Sequence, residues 1–139
     1  MHWWPQPDVG DIVWCRFPEQ ILGNPGPKPR PSLVVKVGDR KPHMYVQVIY
    51  GTSKKTDKIY PSEFLIKEDD KHAYQKSGLR HPTKFNFNTL IELPYNNKWF
   101  EIPSAASYGK CPKMGILDTA NHDLMRRVKS AWEKSTIKN

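Results

Sequence analysis

The chain has 139 residues, 37% of them hydrophobic, and a formal charge of +8 at neutral pH. Five Trp, six Tyr and five Phe exclude the composition of a disordered chain, and no apolar run reaches the roughly 18 residues of a membrane-spanning helix. The surplus of Lys and Arg favours a polyanionic partner, because clustered cations release counterions condensed on nucleic acid; solubility is the plainer use of the same charge. Only Cys15 and Cys111 are present, too few for a disulfide scaffold and not at metal-ligand spacing, so no metal or cofactor is expected. Met1-His2-Trp3-Trp4-Pro5 lacks the basic start and apolar stretch of a secretory signal, which predicts a cytoplasmic protein. A single domain over 1–139 is expected, with an N-terminal arm at 1–8 and a flexible tail at 135–139.

Residues 11–17 read as a strand apolar on both sides, with Val13, Cys15 and Phe17 on one face and Ile12 and Trp14 on the other. Residues 18–31 hold five prolines and two glycines and predict an extended loop. Residues 32–37 and 44–50 read as two strands, with a turn at Gly38-Asp39. A basic loop follows at 51–60, then a short strand or turn at 61–66. The polar stretch from Lys67 to Ser77 predicts a short helix or solvated loop ending at Gly78. Residues 84–93, Trp99–Ile102 and 112–116 are further strand candidates. The end is helical: Asp118 or Thr119 can cap it, and Leu124, Val128, Ala131 and Trp132 share one face. Several short strands closed by one amphipathic helix predict a mainly β fold, a small barrel with the C-terminal helix packed on it.

Arg30 stands between Pro29 and Pro31 at the mouth of one strand, and Thr52-Ser53 ends another. A guanidinium offers a planar fork of donors that keeps its charge, which suits a phosphodiester and the charge that develops on it. The plain alternatives are a surface ion pair for Arg30 and a strand-end hydroxyl turn for Thr52. Glu19 and His81 are candidate bases, His81 because histidine titrates near neutrality. Lys28, Lys54, Lys55 and Lys58 flank these elements and can line a groove for RNA or form a solvated loop. Trp3, Trp4, Tyr50 and Tyr60 are candidate stacking platforms for unpaired bases, with packing as their other use.

Gly10-Asp11, then Arg30-Pro31-Ser32-Leu33-Val34-Val35, then Val46 through Gly51-Thr52-Ser53, in this order, resemble the PemK/MazF family. Lys113-Met114-Gly115-Ile116-Leu117 before the last helix resembles that family's ending. The resemblance implies an SH3-like barrel of the CcdB/PemK/MazF type, a homodimer, and a sequence-specific endoribonuclease that cuts single-stranded RNA without metal. It implies Arg30 and Thr52 as catalytic residues, with Ser53 beside them, and a toxin restrained by a cognate antitoxin. Some members carry an Asp-Gln pair where this chain reads Lys84-Phe85-Asn86-Phe87-Asn88-Thr89. Asn88 at that place can orient a base or a phosphate and cannot take a proton. Two other readings keep the fold without catalysis: a gyrase-binding toxin like CcdB, and a basic nucleic-acid-binding module.

Overall fold

The computed structural model describes residues 1–18, 24–40 and 43–136, with the side chains of Asp39 and Arg40 left out. Its strands are β1 (Asp11–Cys15), β2 (Arg30–Arg40), β3 (His43–Thr52), β4 (Glu63–Ile66), β5 (Thr83–Pro94) and β6 (Lys113–Ile116). A 3-10 turn at Glu68–Asp70 leads into α1 (His72–Ser77), and α2 (His122–Glu133) closes the chain. The strands form one antiparallel sheet in the order β4-β5-β3-β2-β1-β6, curled into a half-barrel. No helix among the described residues is long and apolar enough to cross a membrane.

Both faces of the sheet are covered, which is why its central strands are apolar on both sides. Ile12, Leu33, Ile49, Phe85 and Phe87 pack with Leu124, Val128 and Ala131 of α2. On the opposite face Val13, Cys15, Val34 and Val48 pack with Tyr95, Trp99 and Phe100. Each residue of the alternation is therefore committed to one of two cores, and a one-residue slip would exchange every one of them. The N-terminal arm lies along the second core: the Trp4 indole donates to Phe100 O at 3.0 Å, and Trp3 stacks on His43 at 4.1 Å.

Three sequence expectations shift. β2 runs through Gly38 and Asp39 to an Arg40–His43 pair, so the strand continues where a turn was expected. Trp99–Ile102 is no strand; Phe100 makes a single bridge to Cys15, because the Trp99 and Phe100 amides both turn back to Asn96 O. The burial that made the segment look like a strand comes from the second core. Asn121, not Asp118 or Thr119, caps α2, its Oδ1 accepting the Leu124 amide at 3.0 Å. Asp118 is buried one turn earlier, where it meets the Ala120 amide and Lys76.

Candidate active site

The Gly10-Asp11 opening acts as a junction of the sheet. Gly10 holds φ 97°, a conformation that favours glycine, while its N–H donates to Val34 O at 2.8 Å. Its carbonyl accepts the Leu117 amide at 2.8 Å. The buried Asp11 carboxylate accepts the Asp8 amide at 3.0 Å and pairs with Lys113 at 3.2 Å.

The Arg30 element opens onto a cleft of about 310 Å³. Arg30 starts β2, half-buried, opposite Cys15 of β1. Burial pushes the Cys15 thiol well above its ordinary 9.0, so this cysteine is a packing residue with no nucleophilic thiolate. Pro31 follows, opposite Trp14, and its carbonyl presses on Gly51 of β3. A Cβ at Gly51 would stand 2.7 Å from that carbonyl and 2.7 Å from the Phe85 ring, so only glycine lets this wall close.

β3 pairs with β5 through Thr52 opposite Lys84. The chain just before β5 therefore lies beside the chain just after β3. That places Arg80, His81 and Thr83 in the same cleft as Arg30 and Ser53. The approach is fixed from behind. Gly78 ends α1 with φ 71°, and a Cβ there would strike Met114 O; one at Gly115 would strike Ser77 O. Two glycines thus let α1 and β6 touch backbone to backbone. The Leu79 amide donates to the Ser77 hydroxyl at 3.2 Å, and the Thr83 hydroxyl donates to His81 O at 2.8 Å. Arg80 and His81 are both exposed on the segment held between these bonds.

Among the described residues that line the cleft there are two arginines, one histidine and no carboxylate. Thr52 is beside the cleft and outside its lining; its hydroxyl accepts the Lys54 amide at 3.1 Å, which leaves the O–H as a donor. Ser53 is exposed and lines it. Glu19 lies outside the described residues. Asn88 sits elsewhere, in an irregular stretch of β5, where its Oδ1 accepts the Thr136 amide at 2.8 Å and ties that stretch to the residues after α2. Asn86 serves the same stretch, accepting from the Ser62 hydroxyl and the Asn88 amide. Lys28, Lys54, Lys55 and Lys58 are all exposed. Of the four aromatic candidates, Trp3 and Trp4 hold the arm and Tyr50 leans on Phe17, while Tyr60 is exposed beside Lys58 and Lys84.

Arg80, Thr83 and the Trp14 wall are the additions that sequence reasoning did not make. A signal existed: a helix-ending glycine, a basic pair and a proline directly before a strand. It points to a site only once β5 is known to pair with β3.

No curated protein matches the chain. Residues 8–98 match the family model of the PemK-like, MazF-like toxin of type II toxin-antitoxin systems, a span that runs from the strand opening beyond the end of β5. It takes in Arg30, Thr52, Ser53, Arg80 and His81, and with most of its length so matched, this chain belongs to the PemK/MazF-like toxin family of type II toxin-antitoxin systems.

Proposed function

We propose that the chain is an endoribonuclease that cuts single-stranded RNA in the Arg30 cleft, and that a cognate antitoxin restrains it by covering that cleft. The observation that carries this reading is the convergence of Arg30, Ser53, Arg80 and His81 on one cleft with no carboxylate among its described lining residues. Such a lining suits a phosphodiester and repels no part of it.

RNA carries its own nucleophile in the 2′-hydroxyl. His81 takes the proton of that hydroxyl as its oxygen attacks phosphorus. Arg30 and Arg80 hold the negative charge that grows on the phosphoryl oxygens, Ser53 donates to them, and Thr52 beside the cleft supports that end of β3. The bond to the 5′-oxygen breaks, and that oxygen leaves with a proton, returned by imidazolium or taken from water. The products are a 2′,3′-cyclic phosphate and a 5′-hydroxyl end. Lys28, Lys54, Lys55 and Lys58 extend the positive track along the strand on either side, and no cofactor enters the reaction. Homodimerisation is part of the same reading, since among the described residues β4 and β6 each leave one edge of the sheet without a neighbouring strand.

The test is a long single-stranded RNA incubated with the purified protein and chelator, with the ends mapped. Discrete cuts bearing 5′-hydroxyls are expected, lost in Arg30→Ala and slowed about 100-fold or more in His81→Gln. Cleavage at the parent rate by Arg30→Ala would remove the site assignment. Intact RNA with a folded, antitoxin-free protein would favour the binding-only barrel.

A further inference from the structure

The lining of the cleft is of two chemical kinds, and the phosphate chemistry uses only one. With Arg30, Arg80 and His81 the cleft is lined by Trp14, Leu79, Pro103, Ala105 and Met114. Pro103, Ser104, Ala105 and Ser107 lie beyond the residues that match the family model. Ser104 and Ser107 are exposed on the same segment and also line the cleft.

The segment is held in an unusual shape. Ala106 adopts φ 47°, in the left-handed region that alanine rarely enters, inside a turn closed by its amide on Pro103 O at 3.1 Å. Backbone strain of this kind is kept where surrounding structure imposes it, and it clusters at ligand clamps. Here the strained turn brings a short apolar and hydroxyl-bearing stretch to the cleft that Arg30 also lines.

At about 310 Å³ the cleft is at the small end of ligand pockets, the size of one unit of a polymer. A phosphate alone would leave the indole and its apolar neighbours facing water. A nucleotide satisfies both kinds of lining, with its phosphate on the guanidinium groups and its planar base on the apolar residues. Stacking accounts for retention of any base, because every base has a π face; selection needs hydrogen bonds to its edge.

We propose that the cleft takes one whole nucleotide of the RNA strand, and that residues 103–107 are a specificity element that reads its base through Ser104 and Ser107. This rests on the RNA reading above and adds to it a subsite outside the family-matched region. The base lies against Trp14, Leu79, Pro103 and Met114. The serine hydroxyls, each both donor and acceptor, select among bases at that one position.

The test separates the subsite from catalysis by using a sequence-randomised pool of 2′-fluoro RNA, which lacks the attacking hydroxyl. Bound sequences are read for the parent, for Ser104→Ala/Ser107→Ala and for Ala105→Trp, all at exposed positions that leave the core untouched. The parent should enrich one base at one position. The double serine variant should lose about 5- to 10-fold of that enrichment at that position alone, the worth of one or two hydrogen bonds. Ala105→Trp, which fills the subsite, should abolish it while preference at other positions survives. Unchanged preference in both variants overturns the subsite. A parent that binds no RNA removes the RNA reading and the subsite together. A parent that binds the 2′-fluoro pool with loop-dependent preference but leaves unmodified RNA intact removes only catalysis and supports the subsite.

Discussion

Lys84 gives the sharpest energetic prediction, because a charged side chain only 6% exposed must have its partners built in. Its ammonium donates to Lys58 O at 2.9 Å and pairs with Glu63 Oε1 at 3.2 Å, and the Glu63 side chain is 7% exposed. The same carboxylate oxygen accepts the Tyr60 amide at 2.9 Å. Lys84→Met keeps the length of the side chain and removes the charge. Glu63 is then left buried with its charge held by the Tyr60 amide, and such a broken buried pair costs about 3–5 kcal/mol. With a urea dependence of about 2 kcal/mol per molar, the unfolding midpoint should fall by ~1.5–2.5 M. The double variant Lys84→Met/Glu63→Leu removes both charges and should recover most of the loss, because replacing a buried pair with apolar groups is close to neutral. Raising salt from about 0.1 to 1 M should leave the difference between parent and single variant nearly unchanged, since a buried pair is poorly screened. Urea unfolding followed by tryptophan fluorescence measures all four comparisons. A single variant within about 1 kcal/mol of the parent, or a double variant as unstable as the single, would refute the reasoning.

The remaining predictions touch the cleft wall, the helix cap and the buried acids. Gly51→Ala should cost about 1–3 kcal/mol in the same unfolding assay, since its Cβ would meet a backbone carbonyl that cannot rotate away; a neutral substitution would mean the wall yields. Asn121→Ala should cost about 1 kcal/mol, and Asn121→Ser should restore most of it, as expected of a side-chain cap on Leu124. Burial raises the Cys15 thiol and the Tyr95 phenol above their ordinary 9.0 and 10.0. The folded state then keeps protons that the unfolded chain releases, so stability is full below about pH 9 and falls above it, by up to about 1.4 kcal/mol per pH unit for each group. Cys15→Ala should flatten the first part of that fall; a parent whose unfolding midpoint stays level from about pH 9 to 10.5 would contradict it.

The sheet was legible where a residue's neighbours in sequence reveal its burial. Val13, Cys15 and Ile12 alternate between two apolar faces because two cores exist, and the spacing of Leu124, Val128 and Ala131 marks the inner face of α2. Legibility failed where a local signal was spent on something else. Gly38-Asp39 looks like a turn, yet β2 runs through it because its pairing with β3 extends to His43. Trp99 and Phe100 look like a strand because the second core buries them, not because a partner strand does. Asp118 looks like a cap, but a buried position beside Lys76 claims its carboxylate. Arg30, Thr52, Ser53 and His81 were visible as residue types, and Arg80 was not singled out. Their mutual positions are set by the β3–β5 pairing, which no local pattern encodes.

That pairing also accounts for how the site can vary while the fold persists. In this antiparallel sheet the end of β1, the start of β2, the end of β3 and the start of β5 all fall at one end. Each contributes residues at or just beyond that end: Trp14 beside Cys15, Arg30 and Pro31, Gly51 and Ser53, and the Arg80–His81 segment. The residues that hold these strands in register, such as Val34, Val48 and Ile49, are buried and do not line the cleft. Register therefore fixes where Arg30 meets the segment before β5, while the loops decide the shape of the space between them. The 103–107 segment carries this division furthest. It reaches the cleft from outside the sheet, so its side chains can change without altering a single strand pairing. A chain organised in this way can keep Arg30 in place and change the rest of the cleft's lining through residues that the core does not see.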